Sequence, residues 1–119
     1  MIRYVTSEDE KQILSLMEMV KQDFAGYKEK EFLEALYQAI DRKEAILEEE
    51  GNEIAGLLLF SKEETELSFL AVNPACRRRG VAKSLIHKMT ESFKPGDTVE
   101  VVTFRNGDPK GIRSYDNML

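Results

Sequence analysis

A single cysteine and a single histidine stand among 119 residues, and the two scarcities remove whole classes of chemistry. One thiol cannot build a disulfide framework, and one thiol with one imidazole falls short of a structural zinc ligand set. No metal site is expected, although carboxylate-held Mg²⁺ stays open. The chain also lacks a signal-peptide pattern and any apolar run of roughly 18 residues, so a soluble, cytoplasmic protein without membrane contact is expected. Positive charge is the minority sign, with 17 Lys and Arg against 22 Asp and Glu and a net charge of −5. The resulting pI near 5.0 argues against nucleic acid, whose phosphates demand a broad basic face. Neither nucleotide-loop signature is present: there is no Gly-x-x-x-x-Gly-Lys-Ser/Thr and no three-glycine dinucleotide fingerprint. At this length residues 1–119 form one domain, large enough to bury roughly 60–70% of the unfolded surface without staples.

What the chain does have is clear periodicity. Ile2 to Val5 alternates as a short strand. Ser7 and Glu10 are spaced as a capping box, ahead of a helical stripe of Ile13, Leu16, Met17, Val20 and Phe24. Gly26 interrupts, and Phe32, Leu33, Leu36, Tyr37 and Ile40 predict a second amphipathic helix. The segment from Ala45 to Glu50 and the apolar run Ile54 to Phe60 predict a hairpin turning at Gly51-Asn52. Glu66 to Val72 reads as a central strand. Val81, Leu85, Met89 and Phe93 mark a third helix, ended by Pro95-Gly96-Asp97. Thr98 to Phe104 reads as a strand, Asn106 to Pro109 as a turn, and Lys110 onward as the start of a last helix. The order β-α-α-β-β-β-α-β-α predicts an α+β domain. Its twisted sheet is mostly antiparallel, with one parallel pair supplied by the β-α-β unit.

The chemistry concentrates in Leu70-Ala71-Val72-Asn73-Pro74-Ala75-Cys76-Arg77-Arg78-Arg79-Gly80-Val81-Ala82. A strand stops at a proline, a basic turn with one glycine follows, and a helix begins. Helix N-termini present unpaired N–H groups, which makes this a candidate anion site, rimmed by guanidinium groups suited to a pyrophosphate or a 3′-phosphate. Gly80 permits close approach of the backbone to a ligand, and small Ala82 leaves room beside the first turn. A solvated basic loop is the plain alternative.

This stretch resembles the GNAT superfamily of acyl-CoA-dependent N-acetyltransferases. Arg77, Gly80 and Ala82 meet the signature Arg/Gln-x-x-Gly-x-Gly/Ala, and Val72, Pro74 and Arg77 meet its usual V-x-P-x-x-R preface. The resemblance implies acetyl-CoA as cofactor, held at Leu70, Ala71, Val72, Arg77, Arg78, Arg79, Gly80, Val81 and Ala82. It also implies a bulge at about Phe69 to Val72 that spreads two strands for the pantetheine arm. The family's later Asn-x-x-Ala-x-x-x-Tyr aligns with Asp108 to Tyr115. Tyr115 fits the pattern, while Asp108 and Gly111 depart from it. The family usually continues with Gly-Phe and two further strands; this chain stops at Leu119, which reads as C-terminal truncation and makes a homodimer an expectation.

The reaction implied is transfer of an acetyl group to the primary amine of a small molecule or peptide. Tyr115 is the candidate proton donor to the leaving sulfur, its phenol having an ordinary pKa of about 10. Glu66 is the candidate base, ahead of Glu64 and Glu49. Tyr27, beside Gly26 between the first two helices, is the candidate acceptor-groove residue, with Met17, Met19 and Tyr37 behind it. Cys76 lies on the phosphate side without a paired histidine and is not assigned as nucleophile; His87 reads as a surface residue. Two other functions stay open. One is a CoA-binding or regulatory domain without catalysis. The other is an interaction module meeting an acidic partner through Arg77 to Arg79.

Overall fold

The computed structural model describes the backbone of residues 1–105 and 108–115, and the side chains of residues 1–99. Six strands form one sheet in the order of the chain: β1 (Ile2–Tyr4), β2 (Ala45–Glu50), β3 (Glu53–Ser61), β4 (Glu66–Val72), β5 (Val99–Arg105) and β6 (Asp108–Tyr115). Every neighbouring pair is antiparallel except β4 and β5. Three helices cover the sheet: α1 (Glu10–Val20), α2 (Glu29–Arg42) and α3 (Val81–Thr90).

The two faces carry separate cores, which explains why β3 is apolar without alternation. Ile54, Leu57 and Leu59 pack with Ile13, Leu16, Met17, Val20, Phe32 and Leu36 from α1 and α2. Leu58 and Phe60 pack with Val81, Leu85 and Met89 of α3. Burying each such side chain contributes about 1.5–3 kcal/mol, so neither face could be left bare. Of the expected stripes, Ile13, Leu16, Met17 and Val20 on α1 and Val81, Leu85 and Met89 on α3 are buried, while Phe24 and Phe93 fall past the helix ends and are partly buried; the β2–β3 hairpin turns at Gly51-Asn52 with Gly51 at φ 62°.

Two expectations need correction. The capping box is Thr6 with Asp9, on the 3₁₀ turn Ser7–Asp9 that leads into α1, not Ser7 with Glu10: Asp9 Oδ2 accepts from the Thr6 N–H at 2.8 Å. Asp9 is drawn there by Arg3, whose two terminal nitrogens donate to its carboxylate at 2.9 and 2.7 Å. The final segment pairs as β6 rather than opening a helix, with Val99 opposite Tyr115 and Val102 opposite Ile112. The β-branched strand Val99–Arg105 offers an edge to pair with; Asp108 and Pro109, expected in a turn, open β6 instead, and Asn106 and Gly107 lie outside the described residues. Among the described residues no helix is long and apolar enough to cross a membrane.

Candidate functional site

The site is built where β4 leaves the sheet. Against β3, residues of β4 pair in one register from Leu59↔Phe69 to Gly56↔Val72, then shift by one at Phe60↔Leu67. Ser68 is therefore the extra residue of a bulge, just before the Phe69 to Val72 stretch where one was expected. A bulge bends its strand and raises the local twist. On its other side β4 pairs with β5 only at Glu66↔Glu100 and Leu67↔Val101. Past Leu67 the two strands part, leaving a slot beside residues 68–72.

The main-chain groups that face the slot follow from the ladder. The Asn73 N–H donates to Ala55 O at 2.8 Å, so Val72 and Leu70 are non-hydrogen-bonded positions toward β3 and turn their N–H and C=O groups to the slot. Ala71, named beside them from sequence, has its main chain committed to β3. The slot runs on into the loop. Buried Asn73 locks the strand exit: its Oδ1 accepts from the Ala75 N–H at 2.9 Å and its Nδ2 donates to Ile54 O at 3.3 Å. Arg78 and Gly80 both adopt left-handed backbone, at φ 68° and 78°, and α3 starts immediately after. Ser84 N is the first to bond back to the cap, reaching Gly80 O at 2.9 Å, so the N–H groups of Val81, Ala82 and Lys83 precede any intrahelical acceptor. A Cβ built on Gly80 meets nothing within 4 Å. Open space over free N–H groups is a fitting cradle for a phosphate.

The arginines are not all turned to that cradle. Arg77 donates to Asp23 Oδ2 at 3.1 Å, and Arg79 donates to Glu50 Oε2 at 3.2 Å. Arg78 has no ion pair among the described residues. The Val81 side chain is core, 3% exposed, so this residue offers a ligand only its N–H. Cys76 is buried at 5% exposure, its thiol pushed up by burial and by the Glu50 carboxylate, which accepts from Sγ at 3.5 Å. Those surroundings disfavour a thiolate.

An aromatic wall stands on the α1–α2 face of β4. Leu67 packs on the α3 face while Phe69 and Ala71 pack on the α1–α2 face, so alternation puts Glu66 on the α1–α2 side too. There Phe69 stacks on Phe24 with ring centroids 4.7 Å apart, and Phe32 lies 5.4 Å from Phe69 and 5.8 Å from Tyr27. Half-buried Tyr27 is in the turn between α1 and α2, its phenol pushed up by burial and then by nearby Glu29 and Glu18. The Tyr115 side chain lies outside the described residues. Its main chain, opposite Val99, is next to the Glu66–Glu100–Ser114 row, at the end of the sheet away from Gly80.

Residues 5–107 match the model of the acetyltransferase (GNAT) domain. The chain belongs to the GNAT family.

A search of curated proteins finds no match. Among solved structures, a GNAT-family acetyltransferase from Bacillus cereus superposes with a TM-score of 0.66 at 23% identity, over 85% of this chain and 68% of that one. The loading GNATL domain of CurA from Lyngbya majuscula gives 0.67 at 12%, over 87% and 64%. Diaminobutyrate acetyltransferase EctA from Paenibacillus lautus, solved with L-2,4-diaminobutyric acid and coenzyme A, gives 0.66 at 15%, over 87% and 64%. At these identities the likeness is one of fold. This GNAT chain spans about two thirds of the length of those three.

Several site residues were missed in the sequence. Gly56 is one: a Cβ there would lie 2.7 Å from Val81 Cγ1, 2.9 Å from Leu85 Cδ1 and 3.2 Å from Ala71 O. It lets the N-terminus of α3 sit against the sheet, and a glycine within an apolar strand was the available signal. Asp23 and Glu50, partners of the loop arginines, carry no local signal because the contacts join residues 54 and 29 positions apart.

Proposed function

We propose that the protein is an N-acetyltransferase that moves an acetyl group from acetyl-CoA to the primary amine of a small molecule or peptide. The reading is carried by the separation of β4 from β5 past Leu67, which joins a slot lined by Leu70 and Val72 main chain to the open helix N-terminus at Gly80. The N–H groups of Val81 and Ala82 suit the pyrophosphate, with Arg78 beside them, and the Leu70 and Val72 main chain suits the amide-bearing arm. When bound, the thioester supplies the activated acyl group. An N–H facing the slot at Leu70 would polarise its carbonyl as charge develops on oxygen.

Glu66, on the α1–α2 side of β4, would accept a proton from the amine through water, since only a neutral amine is nucleophilic. Tyr115 would give a proton to the departing sulfur. The Phe24, Phe32, Phe69 and Tyr27 wall would exclude bulk water and orient the amine. The test is an acetylation assay over a panel of amines with free thiol as the readout. Tyr115→Phe should lower kcat by about 10²-fold or more with little change in KM, and Glu66→Gln should flatten the acid limb of the kcat profile. Unchanged rates in both variants would remove those two roles.

A reading without amine acetylation is favoured by one observation: the CurA domain of the same fold is a loading domain. It predicts acyl-CoA binding with no thiol release for any amine.

A further inference from the structure

A cavity of about 680 Å³ lies along α3 beside β1, and its lining includes none of Arg77, Arg78 and Arg79. Its size is that of a site for a small organic molecule. Two of its lining residues, Ile2 on β1 and Ile86 on α3, are apolar and half-buried. Lys83 and His87 line it as well, both exposed, and a spacing of four places their side chains together on one side of α3. Among the described residues Lys83 has no ion pair. The His87 ring makes no hydrogen bond among them either; what Thr90 Oγ1 reaches, at 2.6 Å, is the His87 main-chain O. Lys88, by contrast, is engaged twice, donating to Glu91 Oε1 at 3.1 Å and lying 5.6 Å from the centroid of the Tyr4 ring.

We infer that this cavity binds a small amphipathic monocarboxylate, at a site distinct from the slot and the Gly80 loop. The inference does not depend on the acetyl-CoA reading. Charge selects the head group. Lys83 and Lys88 against Glu91 leave one positive charge in surplus on the described lining, on a chain whose net charge is −5. Glu91 is already held by Lys88, so the surplus is the Lys83 ammonium, which a single carboxylate matches and a phosphate dianion exceeds. The His87 ring and the Ser84 hydroxyl add hydrogen-bond donors on the same lining. Apolar surface selects the rest of the ligand. An alkyl or aryl tail laid on Ile2 and Ile86 removes that surface from water, which acetate, having no tail, leaves wet.

The experiment titrates the full chain with octanoate and follows amide chemical shifts, with acetate, octylamine and inorganic phosphate as comparison ligands. Octanoate should bind saturably, with shifts centred on Ile2, Ser84, His87 and Lys88, and about tenfold or more tighter than any of the three. Lys83→Gln should weaken octanoate about threefold to tenfold, the loss shrinking at high salt. Ile2→Thr should weaken it by about the same factor at every salt concentration while leaving acetate unaffected. Glu91→Gln should tighten octanoate about twofold to fivefold, because Lys88 is released from a surface pair. Saturating pyrophosphate, the probe for the Gly80 loop, should change octanoate affinity by no more than about threefold. The absence of saturable shifts overturns the site, as does any comparison ligand that binds as tightly as octanoate. Unaltered affinity in both Lys83→Gln and Ile2→Thr overturns it too. Displacement of octanoate by pyrophosphate, with the shifts centred on Val81 and Ala82, assigns the binding to the Gly80 loop and overturns a separate site.

Discussion

Gly56→Ala adds one methyl group at the point where α3 meets the sheet, and its cost follows from three distances. The new carbon would stand 2.7 Å from Val81 Cγ1, 2.9 Å from Leu85 Cδ1 and 3.2 Å from Ala71 O. Carbon atoms rest at about 3.5–4.0 Å, so α3 must lift by roughly 1 Å or its side chains must leave their rotamers. Val81 and Leu85 are 3% and 0% exposed and packed in the core beneath α3. Overpacking of this kind costs about 1–3 kcal/mol. With a urea slope of ~1.5 kcal/mol per M for a domain of this size, the unfolding midpoint should fall by roughly 0.7–2 M. Lifting α3 also shifts the Val81 and Ala82 N–H groups relative to the loop, so pyrophosphate affinity should fall in parallel. Val81→Ala in the Gly56→Ala background removes the methyl that the new carbon meets first. The double variant should be more stable than the sum of the two single losses predicts. An unchanged midpoint in Gly56→Ala, or strict additivity with Val81→Ala, would refute the close docking of α3 on β3.

Gly80 separates backbone strain from occlusion. Gly80→Val should lose about 1–2 kcal/mol in urea unfolding, for the left-handed φ of 78°, and should also lose CoA binding, whereas Gly80→Asn should keep most of the stability because Asn tolerates that region, yet still bind CoA poorly. Asp9 should shape the acid limb of stability. The Arg3 hydrogen bonds, ahead of the Thr6 N–H, hold its carboxyl below the ordinary 3.8, so its contribution is complete above about pH 4–5 and is lost as pH falls through the lowered folded-state value. Urea midpoints taken between pH 2 and 7 should show Asp9→Asn less stable by about 1–2 kcal/mol at pH 7, with the gap closing at the acid end.

The sequence made the scaffold legible wherever one residue's pattern repeats. The stripe Ile13, Leu16, Met17, Val20 marks α1 and is buried, and Gly51-Asn52 announces the β2–β3 hairpin. The loop from Asn73 to Ala82 was legible because a proline, a glycine and a helix start succeed one another within ten residues. Contacts that join distant segments were not. Arg3 holds Asp9 in the 3₁₀ turn before α1, Asp23 and Glu50 engage the loop arginines, and Phe24 reaches Phe69 across the α1–α2 turn; none of these leaves a local trace. The last segment misled because a helix start was expected from Lys110 onward without weighing the edge that β5 offers it to pair with.

The central claim is that the slot along β4 and the Gly80 loop together hold acetyl-CoA, and a calorimetric titration of the full chain with acetyl-CoA, against pyrophosphate as comparison, tests it most directly. The account predicts saturable micromolar binding of acetyl-CoA, tighter than pyrophosphate by tenfold or more because the arm adds Leu70 and Val72 main-chain contacts, and abolished in Gly80→Val. Equal affinity for the two ligands would contradict the role of the slot, and no saturable binding by the folded protein would contradict the claim as a whole.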